Sequence, residues 1–231
     1  YYTTLYQPTH GFISVAKEFA SYLAPDLPAR PHTRILDFGG GRGDLAMNLA
    51  RIMLADGVAS SVDVTLVDLN PASWADEAGI TFRWAGDLHG LDGVFDVVLA
   101  SAVLEHIPAL YPTLAALLER LAPEGLFYAR TPCRLPVRRL YSRLTMYFPM
   151  HVHDLGPSFW NRVPERAAVH LEVVASRPAI VEAKLTNRRV EALVVGLMKL
   201  PARIEGRLRG QPKDPLWKLV GGWEVIFRRR L

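Results

Sequence analysis

The chain has 231 residues, half of them hydrophobic, with 17 glycines and 17 prolines spread along it and a formal net charge of +4. That composition supplies a sizeable α/β core and excludes a fibrous or low-complexity chain. The single cysteine, Cys133, excludes an intrachain disulfide and a cysteine-based zinc cluster; with no apolar run as long as a membrane span and no stretch resembling a secretion signal, an intracellular, cytoplasmic protein is expected.

Apolar residues at helical spacing predict a first helix over about 13–23, covering the mouth of a ligand crevice or the edge of a sheet. The first strand is expected at 33–38, where the run Ile35-Leu36 ends in the acid Asp37. Glycines at 39, 40, 41 and 43 follow, and then a helix over 44–55. A strand, a bare-backbone turn and a helix start put unpaired N–H groups where a ligand can approach without meeting a Cβ. The dinucleotide fingerprint needs glycines at i, i+2 and i+5, and counting from Gly39 or Gly41 ends on Asp44 or Ala46. No Gly-Lys-Ser/Thr is present, which also excludes a P-loop. An acid beside the turn suits a ligand with a positive or hydroxyl-rich part better than a bare phosphate.

The second strand, 62–67, ends at Asp68, and a short helix is expected after Pro71. The third, 80–84, leads into Ala85-Gly86-Asp87-Leu88. The fourth, 94–100, is almost continuously apolar, as a strand covered on both faces should be. A helix over 112–121 precedes a strand at 125–130, and the last strands are expected at 169–176 and 222–229. This alternation implies a parallel sheet with helices on both faces. Two further segments are amphipathic and basic: 135–148, and 187–208, which Pro201 is expected to kink or divide. The arginine excess falls in this later half, either as a solvated surface or as a face that meets something anionic.

Four features taken together carry a resemblance: Asp37-x-Gly39-x-Gly41-x-Gly43, Asp68, Asp87, and the string FDVVLASAVLEHIP at 95–108. In order and spacing they resemble the motifs of the class I (Rossmann-like) S-adenosylmethionine-dependent methyltransferases of small-molecule type. The resemblance implies a single domain over 1–231 with a seven-stranded, mostly parallel sheet whose last strand enters antiparallel between its neighbours. It also implies a lid or acceptor-side insertion at 132–165 and a helical insertion at 186–210 before the last strand. The implied cofactor is S-adenosylmethionine, leaving as S-adenosylhomocysteine. Asp37 would orient the methionine ammonium, directly or through water, and Gly39, Gly41 and Gly43 would let the backbone approach closely. Asp68 would bind the ribose hydroxyls with Leu69 as an apolar neighbour of adenine. Asp87 would take the adenine amino group with Leu88 beside it, and Ser101 would line the methionine pocket through its backbone. Arg42 departs from the small or polar residue usual between these glycines and is expected in solvent or paired with an acid.

For a general base His106 is the first candidate, since a histidine titrates near neutrality and this one follows a strand whose tip faces the ligand crevice. The alternative is a structural histidine or one that contacts the acceptor without taking its proton. The segment His151-Val152-His153-Asp154 is similar to a His-x-His stretch that lines the acceptor side in related enzymes, so His151 or His153 is expected to touch the acceptor. A metal would need convergent carboxylates and Asp154 is the only adjacent one, so no metal ligands are assigned. The expected reaction is methyl transfer to a small-molecule or glycan/lipid-linked acceptor, with oxygen favoured because a histidine base suits a hydroxyl. The basic helices suit an anionic acceptor or peripheral contact with a membrane. A nucleic-acid partner is not expected: the Asn/Asp-Pro-Pro-Tyr/Phe motif of base amino-methylating enzymes is absent after the fourth strand, as is a separate basic recognition domain. A non-catalytic cofactor-binding protein is the other alternative, and no oligomeric state is assigned.

Overall fold

The computed structural model describes residues 12–132, 151–179, 189–209 and 222–231. In chain order the elements are α1 (Phe12–Leu23), β1 (His32–Phe38), α2 (Asp44–Ala55), β2 (Ser61–Val67), β3 (Ile80–Ala85), β4 (Phe95–Ser101), α3 (Leu110–Glu119) and β5 (Leu121–Pro132). They continue with the short helices α4 (Pro157–Trp160) and α5 (Val163–Arg166), then β6 (Leu171–Pro178), α6 (Arg189–Arg209) and β7 (Gly222–Arg229). The strands form one sheet in the order β3-β2-β1-β4-β5-β7-β6. All pairs from β3 to β5 are parallel, while β7 runs antiparallel to both β5 and β6. This is the Rossmann-like, mostly parallel sheet with the last strand reversed between its neighbours that the sequence implied.

Period-two alternation divides the core between the two faces of the sheet. Ile35, Val62, Val64, Val97, Leu99, Tyr128 and Ile226 pack under α1 and α2. Leu36, Val98, Ala100, Phe127 and Phe227 pack against α3 and Trp160 on the other side. Strand β4 is buried along all but its last residue, which explains its unbroken apolar run.

Several expectations are corrected. Helix α1 lies on a face of the sheet beside α2, with Phe19, Ala20 and Leu23 in the core, and not along a sheet edge; its Phe19 ring packs under the Arg130 guanidinium, 4.6 Å away. No helix follows Pro71. The segment is held by tertiary bonds instead: Trp74 Nε1 donates to the Arg42 carbonyl at 2.7 Å, and Asp76 accepts from the Phe82 amide at 3.2 Å. Strand β5 starts at Leu121, with a register shift between Phe95 and Val97 and a positive φ of 60° at Glu124, so a bulge precedes the apolar run that marked it. Helix α6 continues through Pro201, so of the expected kink or division the division does not occur. The segment 135–148, and with it much of the 132–165 insertion, lies outside the described residues.

Helix α6 has an inverted burial pattern. Leu193, Leu197, Leu200, Ile204 and Leu208 recur at helical spacing along one stripe, and all are exposed. Its buried positions include Lys199, Ala202 and Glu205, and Lys199 Nζ donates to the Ala179 carbonyl at 2.9 Å.

Candidate cofactor and acceptor site

Strand order reverses between β1 and β4: the chain goes outward to β2 and β3 on one side and to β5 on the other. A crevice at such a switch point, beyond the carboxyl ends of the strands, is where open α/β sheets bind ligands. The residues singled out by sequence stand at these strand ends.

Asp37, near the end of β1, is fully buried, and among the described residues neither carboxylate oxygen has a partner in full hydrogen-bond geometry, although the Ala46 amide stands nearby. Burial pushes its carboxyl up to about 7; the nearby Ala46 amide pulls it back in part, and the charges of Asp68 and Asp44 add to the rise. Its roof is the glycine turn itself, since a Cβ at Gly40 would stand 2.2 Å from Asp37 Oδ2. Only a residue without a side chain can close over the acid there. Gly39 is equally constrained, with φ +67° and Val103 filling the space where its Cβ would stand. Gly41, by contrast, faces open space, and Gly43 caps α2 in a left-handed conformation.

The turn is tied to the tip of β2. The Gly41 amide donates to Asp68 Oδ2 at 2.9 Å, and the Asn70 amide donates to Oδ1 at 2.9 Å. A carboxylate has about four acceptor sites, so these bonds leave Asp68 capacity for hydroxyl donors. Leu69 beside it is 73 % exposed, an apolar side chain standing free at the crevice. Asp87 is exposed and accepts from the His89 amide at 2.7 Å, closing a local turn, while Leu88 is half-buried against the core. Arg42 is exposed, as expected.

At the end of β4, Ser101 Oγ accepts from Arg130 Nε at 3.2 Å. Ala102 follows with φ +57°, a conformation that costs an L-residue roughly 1–2 kcal/mol. Its amide donates to the Arg130 carbonyl at 2.7 Å, which helps hold it there. Sequence reasoning missed Arg130, and also Trp84, whose indole N–H donates to the Asp68 carbonyl at 3.0 Å. Neither is marked by a motif, because each acts through a neighbouring strand.

The histidines singled out by sequence are brought together from two distant segments. A short 3-10 turn, Leu104–His106, follows β4. The Glu105 carbonyl accepts from the amides of Val152 and His153 at 2.9 and 3.1 Å, fixing the register between the turn and the His-x-His segment. His106 and His151 are thereby brought together, with ring centroids 4.7 Å apart, and the buried Glu105 carboxylate lies 3.7 Å from His106 Nε2. His153 is turned elsewhere, its Nε2–H donating to the Ile107 carbonyl at 2.9 Å. Beyond it, Thr131 Oγ1 donates to the Leu155 carbonyl and accepts from Trp160 Nε1, anchoring the segment to the end of β5. Asp154 is exposed; the carboxylate in this cluster is Glu105, which its place in the sequence did not reveal.

Comparison with known proteins places the chain among methyltransferases. A family model described as a methyltransferase domain matches residues 10–163. The chain is 28 % identical over 123 residues to the trans-aconitate 2-methyltransferase of Deinococcus radiodurans, a match covering 53 % of this chain and 47 % of that protein. It thus spans about half the length of that curated relative. Among solved structures, the plantazolicin methyltransferase BpumL in complex with SAH superposes with a TM-score of 0.55 at 16 % identity, covering 96 % of this chain and 84 % of the other. Coclaurine N-methyltransferase bound to N-methylheliamine and SAH gives 0.56 at 12 % identity, covering 97 % and 80 %. Because the family match runs from α1 to α5 and takes in every crevice residue named above, the chain belongs to the methyltransferase domain family, in the fold of the class I S-adenosylmethionine-dependent enzymes.

Proposed function

We propose that this protein transfers a methyl group from S-adenosylmethionine to oxygen on a small-molecule or glycan/lipid-linked acceptor. The observation that carries the reading is Asp37, a buried acid without a partner in hydrogen-bond geometry among the described residues, roofed by a glycine turn whose Gly41 faces open space. An ammonium above that turn would supply the positive charge the acid lacks. Asp68, already bonded to the turn, suits the ribose hydroxyls, and the exposed Leu69 suits the adenine face. When bound, the cofactor supplies a methyl group on an activated sulfonium, so the protein's task is alignment and proton removal. Alignment of reactants is worth on the order of 7–11 kcal/mol in favourable cases. A positioned base typically adds about 10²–10⁴-fold. His106, with His151 against it and Glu105 behind, stands where it can take the proton of an acceptor hydroxyl. His153 is held by a backbone carbonyl and plays a positioning part.

Two observations bear on the acceptor. The curated relative is named for an acid, and a net charge of +4 suits an anionic acceptor. The exposed apolar stripe of α6, with Arg203, Arg207 and Arg209 interleaved in the sequence, suits one carried on an anionic lipid surface. Incubation with isotope-labelled methyl donor and separated water-soluble and lipid fractions tests both. Label in neither fraction, from protein that binds the donor, would leave only a cofactor-binding role.

Asp68→Ala is expected to weaken donor binding by about 1–3 kcal/mol through lost hydrogen bonds; unchanged affinity by calorimetry would remove Asp68 from the site. His106→Ala is expected to lower kcat by about a hundredfold or more with donor affinity retained. Full turnover on an identified acceptor would leave His106 a structural role.

A further inference from the structure

We infer that Glu105, His106 and His151 form a binding site for a transition-metal dication, with zinc as the best-suited ion. The inference rests on the methyltransferase reading for its purpose but not for its chemistry. The three side chains offer one carboxylate oxygen and two imidazole nitrogens, all within 4.8 Å of one another. A tetrahedral zinc ion holds such atoms at about 2.0–2.2 Å, which requires them to be roughly 3.3 Å apart. The Glu105–His106 pair, at 3.7 Å, already approaches this, so side-chain rotation with a fixed backbone closes the set.

Three features separate this cluster from a chance grouping. Two imidazoles and a carboxylate select zinc and its neighbours over magnesium or calcium, which prefer all-oxygen shells. The backbone is pre-arranged, because the Glu105 carbonyl binds two amides of the His-x-His segment and so fixes where His151 projects. His153 fixes the same segment from its other side through Ile107. Finally, Glu105 is 1 % exposed, the His106 side chain 14 %, and His151 is intermediate, so the ligands rise from an interior floor through partly buried imidazoles. An ion with three protein ligands keeps a fourth position for a substrate oxygen.

At that position an acceptor hydroxyl would lose its proton to water, because a bound dication lowers the pKa of a coordinated O–H. The resulting oxygen forms the new C–O bond as the S–C bond of the donor breaks, leaving a neutral thioether. The same residues that could act as a base would then act by holding a Lewis acid.

The test uses the full chain, stripped with chelator and titrated with Zn²⁺ and with Co²⁺ as an optical probe. One equivalent is expected to bind, with visible Co²⁺ bands of a low-symmetry site and a higher melting temperature. His151→Ala and Glu105→Gln should each lower affinity at least tenfold. His151→Ala, the less buried change, should melt like the parent when metal-free. Absence of uptake by protein that binds S-adenosylmethionine would overturn the metal site and leave the methyltransferase reading standing. Uptake unaffected by His151→Ala would overturn it equally, placing the ion elsewhere. Metal uptake without donor binding would support the site and count against the methyltransferase reading.

Discussion

Asp37→Asn is expected to make the ligand-free protein more stable above pH 7 while weakening its hold on the methyl donor. The native carboxyl titrates at about 7, raised from an ordinary value of 3.8 by burial. Between those limits the folded chain binds more protons than the unfolded one, so stability falls as pH rises through the window and levels off above it. Asparagine carries no proton to lose and removes that slope. At about 1.4 kcal/mol per pH step, the gain at pH 8 has a ceiling of about 4 kcal/mol. Donor binding should change in the opposite sense: loss of a charged partner costs roughly 1.5–3 kcal/mol, or about 10–150-fold in affinity. For the parent protein, donor affinity should rise as pH passes upward through 7, because an ammonium favours the ionised acid. Melting curves from pH 5 to 8, paired with calorimetry, check both halves. Parallel pH slopes in parent and variant would show that Asp37 does not carry the titration.

Glu224→Ala is expected to cost about 3–5 kcal/mol of stability, the range for breaking a buried ion pair from one side. Glu224 is fully buried on β7, and in register it stands opposite Arg130 on β5 and Arg177 on β6. Arg177 Nε donates to it at 2.6 Å and Tyr22 Oη at 2.7 Å, while the Arg177 guanidinium lies 4.6 Å from the Tyr22 ring centre. Burial first, and then the Glu224 charge, push the Tyr22 hydroxyl far above its ordinary range, so it stays protonated and donating. Deleting the carboxylate removes the charge and the acceptor that Arg177 and Tyr22 both meet there. At roughly 2–4 °C per kcal/mol for a chain of this size, the melting temperature should fall by about 6–20 °C. Glu224→Gln keeps an acceptor for Tyr22 and should lose less. Adding Arg177→Met to Glu224→Ala should recover part of the loss. A fall of under a degree or two in Glu224→Ala would mean that solvent reaches the pair.

Where local pattern and tertiary demand coincide, the sequence was a sound guide. Strand β7 was expected at its observed bounds, and β4 was legible because burial on both faces leaves an unbroken apolar run. The glycine turn was legible because its residue type is dictated by backbone geometry at Gly39 and by the acid under Gly40. The burial of that acid was not: an aspartate at a strand end reads the same whether the next turn closes over it or stands away. The same limit hid Glu105 beside His151, since the pairing is made by backbone bonds between segments far apart in the sequence. Trp74 and Asp76 replaced an expected helix with bonds to Arg42 and Phe82, partners that periodicity cannot see. For α6 the period was right, but a helical stripe does not say which side the protein covers, and among the described residues its leucine stripe is exposed.

The position of β7 has a consequence for how the molecule is made. Of the seven strands it is the latest in the sequence, yet it lies between β5 and β6. A nascent chain halted before residue 222 could dock five strands, but β6 would have no ladder to join. Arg177 would meanwhile wait without the Glu224 carboxylate that it later meets. Long-range closures of this kind are slow, because the intervening loop loses its freedom before any contact compensates. Strand β7 is therefore the clasp that joins β6 to the rest of the sheet.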